Sequence, residues 1–93
     1  MNMDYARHEN ELSRLKRIHG QVGGIIRMIE DDRYCVDILT QTHAVKRALR
    51  KVEEGILARH IEHCVSQAVS SRDAAERDAK LAEIQEVMKR FVS

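Results

Sequence analysis

The sequence predicts an all-α fold. Three observations carry that expectation. There is no proline in 93 residues. Apolar residues recur every three or four positions along nearly the whole chain, the period of an amphipathic helix. The composition, 43% hydrophobic and 33% charged with only 3% aromatic, is that of a helical water-soluble protein. A chain of this length makes one domain at most, 1–93, and buries a thin core alone, so self-association is expected.

The first helix is expected over residues 4–30. Leu12, Leu15, Ile18, Val22, Ile25, Ile26 and Ile29 form its apolar face, and Asp4 is placed to cap it. Gly20, Gly23 and Gly24 fall inside the pattern. A glycine costs roughly 1 kcal/mol against alanine in a helix interior. The apolar spacing continues through all three, which favours close approach of another helix over a break.

The second helix is expected over 32–69, after a polar link Glu30-Asp31-Asp32 in which Asp31 or Asp32 supplies the cap. Ile38, Val45, Leu49, Val52 and Ile56 recur at sevens, fours and threes, and Leu57, Ile61, Val65 and Ala68 continue the series. The resulting length far exceeds the usual ~10–14 residues, which suits a coiled-coil-like partner. Ser70-Ser71-Arg72-Asp73 interrupts the pattern. Asp73 with Glu76 resembles a capping box that opens a third helix over 73–92, with Leu81, Ile84, Met88 and Phe91 on one face.

The net charge of +1 says little. Its distribution says more. Residues 1–51 hold ten Lys/Arg against seven Asp/Glu, and residues 52–93 hold six against eight. An anionic partner is therefore expected at the first half. No apolar run approaches the ~18–20 residues of a membrane span, and Met1-Asn2-Met3-Asp4-Tyr5 lacks an apolar signal segment. A cytoplasmic location is the expectation. There thiols stay reduced, so two cysteines point to a metal or redox site.

Those cysteines frame the long helix. Cys35 and Cys64 are 29 residues apart, about 43 Å along an unbroken helix, too far for one ion or one disulfide to join them within a chain. His60 and Cys64 are four apart and share a face, as two ligands of one ion would. A missing third ligand is available from a second chain running antiparallel. Cys35 would occupy the first turn of its helix, where partial positive charge suits an anionic ligand. Two soft sulfurs and one nitrogen suit three-coordinate Cu(I) better than tetrahedral Zn(II). The plainer account stands beside this one: two small buried cysteines and a surface histidine. His63 lies near the same face and is a further candidate ligand.

Two basic clusters follow helical spacing: Arg14, Lys16 and Arg17, then Lys46, Arg47, Arg50 and Lys51. Their faces suit phosphate contacts, although in a single chain solvated helix surface is the simpler account of them. No zinc-finger spacing appears, and a helix-turn-helix at Glu30–Arg33 would have too long a second helix. His19 and His43 border apolar stripes and read as core or interface residues, while His8 stands isolated. No nucleophile triad, phosphate-binding glycine loop or carboxylate pair appears, so nothing points to an enzyme.

Four segments carry a family resemblance. They are Arg14-Leu15-Lys16-Arg17-Ile18-His19-Gly20-Gln21-Val22, Gly24-Ile25-Ile26-Arg27-Met28-Ile29-Glu30, Tyr34-Cys35-Val36-Asp37-Ile38-Leu39 and His60-Ile61-Glu62-His63-Cys64. The chain resembles the copper-sensitive operon repressor family of bacterial transcriptional repressors over roughly Glu11 to Phe91. The resemblance implies three helices per subunit, an antiparallel four-helix core in the dimer, and a dimer of dimers, hence a homotetramer. It implies an intersubunit metal site of Cys35 from one chain with His60 and Cys64 from another, and drops His63. Tyr34 and Glu83 would support those ligands from outside. Arg14 and Lys51, with Arg17 and Arg50 as neighbours, would contact operator DNA.

Within that family, nickel/cobalt sensors carry a histidine near the third position, where this chain has Met3, and one type has His in place of Cys64. Formaldehyde sensors have proline at the second position, here Asn2, and generally lack the second cysteine. Persulfide sensors have Cys in place of His60. The resemblance therefore implies a repressor that binds operator DNA in its apo form and is released by Cu(I). The alternatives are a sensor of Ni(II), Zn(II) or a thiol-reactive inducer on the same fold, and a cytosolic Cu(I)-buffering helical protein without DNA binding.

Overall fold

The computed structural model describes residues 7–92. Its three helices are α1 (Glu9–Glu30), α2 (Cys35–Ser70) and α3 (Ala74–Phe91). All three expected helices are present, and the second runs unbroken through 36 residues.

The first boundary differs from expectation. Arg7 and His8 are not helical, and α1 begins at Glu9 with His8 in the cap position, where its side chain makes no capping bond. The expected cap, Asp4, lies outside the described residues. Glu9 and Glu11 in the first turn complement the helix dipole.

The second boundary is also corrected. Asp31 and Asp32 close α1 rather than cap α2. Asp32 has φ 53°, the left-handed conformation that usually falls to glycine after a helix. The Asp32 amide donates to the Ile29 carbonyl at 3.2 Å, and the Arg33 amide donates to the Met28 carbonyl at 3.0 Å. This is the Schellman closure, which satisfies carbonyls that the helix end would leave open. An aspartate tolerates this geometry better than most residues with a side chain. α2 starts after it, with the Tyr34 carbonyl accepting from the amides of Asp37 and Ile38 at 3.0 and 3.2 Å.

The third boundary is closer to expectation. Asp73 caps α3, its carboxylate accepting from the Ala75 amide at 3.0 Å. Glu76 does not reach back to the Asp73 amide as a capping box requires. Ser71 stands between them: its Oγ accepts from the Asp73 amide at 3.2 Å and lies 3.2 Å from Glu76 Oε2.

The chain packs as two compact units. Within His8–Gly55, Ile18, Val45 and Val52 form a buried cluster, with Ile25 and Ala48 against it. Glu11, Ile18 and Ile25 are seven residues apart in turn, so they share one face of α1. Glu11 meets Gly55 while Ile18 and Ile25 meet the preceding turns of α2, so the two helices run antiparallel. In the other unit, which includes residues 56–92, Cys64, Ala68 and Ile84 are buried.

Within the single chain no other helix closes on the three glycines of α1. Nothing lies within 4 Å of a Cβ built at Gly20, and only the Arg27 side chain approaches Gly23 and Gly24. The close approach is at Gly55, where a Cβ would stand 2.5 Å from Glu11 Oε1. The helix absorbs the three glycines of α1 without a break.

Most of the expected apolar faces are uncovered in the single chain. Leu12, Leu15, Val22, Ile26 and Ile29 of α1 are exposed, as are Leu49, Ile56 and Val65 of α2 and Leu81, Met88 and Phe91 of α3. His19 and His43 are exposed too, so neither is a core residue of its own chain. Among the described residues six apolar side chains are buried, too few to hold a chain of this length by themselves.

Candidate metal centre and basic groove

α2 and α3 bring three donor atoms together. His60 and Cys64, one turn apart on α2, place Nε2 and Sγ 3.4 Å from each other. Glu83 on α3 adds a carboxylate oxygen, Oε1, 3.5 Å from His60 Nε2 and 4.0 Å from Cys64 Sγ. The three ligand atoms all lie within 4.8 Å of one another. Lys80, three residues before Glu83, holds the other carboxylate oxygen at 3.8 Å. Lys80 and the buried Ile84 are four apart and share a face of α3, and Glu83 borders it.

The environment is graded. Cys64 is 2% exposed, whereas about a third of the His60 side chain and nearly half of the Glu83 side chain reach solvent. Burial pushes the Cys64 thiol up, the Glu83 carboxylate adds to the rise, and the Lys80 ammonium opposes it. The resting sulfur is therefore a neutral thiol that donates toward Glu83 Oε1 at 4.0 Å, with His60 Nε2 3.4 Å away. A cation that takes the sulfur must displace that proton.

The other expected ligands are not among these three donors. Cys35 is exposed and unbridged at the first residue of α2, next to the exposed Tyr34. His63 points elsewhere: its Nε2 lies 3.2 Å from Gln67 Nε2. Met3 and Asn2, where nickel/cobalt and formaldehyde sensors differ from this chain, lie outside the described residues. Spacing alone finds the His60–Cys64 pair. It cannot find Glu83, because that residue comes from another helix and only the packing of α3 brings it near.

The basic residues fall into two settings. Arg14, Arg17 and Gln21 of α1 and Arg47 and Lys51 of α2 line a groove of about 400 Å³, floored by Ile18, Ala44 and Ala48. Arg50 does not line it; its Nε lies 3.4 Å from Glu54 Oε1, an exposed pair one turn apart. Arg47, from the same basic cluster, lines it instead. Four cations facing one groove form a concentration of positive charge that suits a polyanion.

The family model for the metal-sensitive transcriptional repressor matches residues 7–90. The chain belongs to this family. Among its relatives is the copper-sensing transcriptional repressor RicR of Mycobacterium tuberculosis (strain ATCC 25618 / H37Rv), 48% identical over 84 residues, 90% of this chain and 86% of that protein. Two solved members of this repressor fold superpose on the chain. One is the copper-sensing repressor CsoR with Cu(I) from Geobacillus thermodenitrificans NG80-2, with TM-score 0.73 and 45% identity, covering 91% of this chain and 85% of that one. The other is the nickel-responsive transcriptional regulator InrS, with TM-score 0.77 and 31% identity, covering 92% and 93%. Among the described residues of this repressor no helix is long and apolar enough to cross a membrane.

Proposed function

We propose that the chain is a cytoplasmic Cu(I)-responsive transcriptional repressor that acts as a homotetramer by binding and not by catalysis. The whole of 1–93 is one sensing and DNA-binding domain in this reading. Apo protein holds operator DNA through Arg14, Arg17 and Lys51, with Arg50 at the margin, and Cu(I) releases it. The observation that carries the reading is the pairing of the buried Cys64 thiol with His60 Nε2 at 3.4 Å, on the same helix that begins with the exposed Cys35.

Cys35 of one chain with His60 and Cys64 of another would hold the ion. Thiolate and imidazole donors fit a soft monovalent cation. Bound there, Cu(I) supplies a bond between chains that the apo protein lacks. Tyr34 and Glu83 would hold the ligands in position, Glu83 through its contact with His60. The exposed apolar faces of all three helices support assembly, since a single chain leaves them open to water. The curated relative named copper-sensing supports the choice of metal.

Complementation between chains tests the shared site. Cys35→Ala and Cys64→Ala chains should each fail to bind Cu(I) tightly, whereas mixed and reannealed chains should recover intact sites. Failure of the mixture to bind, with assembly intact, would overturn the intersubunit reading. A second reading, a Ni(II)-responsive repressor, draws on the likeness to InrS. Competition against a strong Cu(I) chelator separates them: the favoured reading requires the protein to retain Cu(I), and the second does not.

A further inference from the structure

We infer that each chain by itself carries a site for a borderline divalent cation of the Zn(II) class, formed by His60, Cys64 and Glu83, in which Glu83 replaces the partner's cysteine as third donor. The inference rests on the proposed reading only in taking His60 and Cys64 as ligands.

The distances carry it. Zinc takes His nitrogen at about 2.0–2.1 Å, Cys sulfur at about 2.3 Å and carboxylate oxygen at about 2.0–2.2 Å, usually in a tetrahedron. Donors at those lengths and the tetrahedral angle are separated by roughly 3.4–3.6 Å. The three atoms here are separated by 3.4 Å for nitrogen to sulfur, 3.5 Å for nitrogen to oxygen and 4.0 Å for sulfur to oxygen. They already stand near three corners of a tetrahedron within one chain, and only the sulfur–oxygen edge must shorten. Lys80 sits on the far carboxylate oxygen and leaves Oε1 facing the pair.

Ligand softness separates this site from the Cu(I) site. A carboxylate oxygen is a hard donor that zinc accepts and Cu(I) disfavours, whereas a second thiolate suits Cu(I). Glu83 is then a hydrogen-bonding neighbour of His60 when Cu(I) is bound and a ligand when the divalent ion is bound. The same two residues of α2 would serve both metals, and the third donor would report which one is present. A divalent ion held within one chain makes no bond between chains, so it occupies the site without imposing the intersubunit constraint that Cu(I) imposes.

Two substitutions with two metals test this in the full chain. Zn(II) alone, in competition with a chromogenic chelator, should bind wild type and Cys35→Ala within about threefold of each other, while Glu83→Ala should weaken it beyond the roughly 100-fold upper range for loss of an outer partner. Cu(I) should show the opposite order: Cys35→Ala loses it, and Glu83→Ala keeps it within about tenfold, the loss of an outer partner only. Co(II), as a spectroscopic probe, should give a tetrahedral spectrum with the charge-transfer intensity of one thiolate in both wild type and Cys35→Ala. Glu83 is half exposed, and circular dichroism of Glu83→Ala and Glu83→Gln checks that the helices persist. Unchanged Zn(II) affinity in Glu83→Ala would overturn the inference, as would equal loss of Zn(II) and Cu(I) in Cys35→Ala. Retention of Cu(I) by Cys35→Ala, with Zn(II) lost in Glu83→Ala, would sink the intersubunit Cu(I) site and leave this one standing.

Discussion

Cys64 Sγ lies 3.4 Å from His60 Nε2 in a setting that leaves only 2% of the cysteine exposed. Burial first, and the Glu83 carboxylate second, keep that sulfur protonated beyond the ordinary thiol range. Metal affinity must then depend on pH. Each thiol proton released on binding raises apparent affinity about tenfold per pH unit below the thiol pKa. Chelator-competition titrations across neutral pH should show this slope, and an affinity independent of pH would contradict it.

The same thiol links pH to stability, with the opposite sign. The folded chain holds the Cys64 proton to higher pH than the unfolded chain does. Its contribution is complete below the unfolded thiol pKa, about 8.5, and is lost as pH rises through the folded value. In a Cys35→Ala background, thiolate absorbance should therefore appear later on the alkaline side than for a free thiol. Glu83→Gln should bring it back toward the ordinary range, because the like charge is gone.

Gly55 and Glu11 give a packing prediction. Alanine at an exposed helix glycine should gain roughly 1 kcal/mol, as expected for Gly20, where a Cβ meets nothing within 4 Å in the chain. At Gly55 the Cβ would stand 2.5 Å from Glu11 Oε1, and Glu11 is buried. Gly55→Ala should cost about 1 kcal/mol instead, since displacing a buried side chain outweighs the helix propensity. Thermal melts of the two variants at equal protein concentration compare them directly.

The basic groove gives a salt-dependent prediction. Removing a side chain that neutralises one phosphate lowers the slope of log affinity against log salt by about 0.9. Arg14→Ala and Lys51→Ala should each do so, and Arg47→Ala should join them because it lines the same groove. Arg50→Ala should change the slope less, since its guanidinium is engaged with Glu54 outside the groove. DNA-binding isotherms at several salt concentrations read the difference.

Much of this was legible in the residues. Apolar spacing found all three helices, and Asp73 announced the start of α3. The His60–Cys64 pair follows from a separation of four on a helix. What the residues did not disclose depends on contacts between elements. Glu11 sits at a heptad position shared with Ile18 and Ile25, the available sign that it packs inward against Gly55, but its charge points the other way. Asp31 and Asp32 suit either a helix cap or a helix end, and only the backbone hydrogen bonds of Asp32 and Arg33 decide for the end. Arg47 and Arg50 are indistinguishable by composition, and the rotation of α2 against α1 decides which of them enters the groove. Glu83 reaches Cys64 only because α3 folds back on α2.

The most direct test of the central claim is fluorescence anisotropy of labelled DNA from upstream of the chain's own gene, titrated with wild type and Cys35→Ala, each with and without Cu(I). The account predicts that both apo proteins bind alike. Cu(I) should weaken wild-type binding by about 100-fold, or about 2.7 kcal/mol of coupling, and should leave Cys35→Ala on the DNA. Release of Cys35→Ala by Cu(I) to the same extent as wild type would contradict the account.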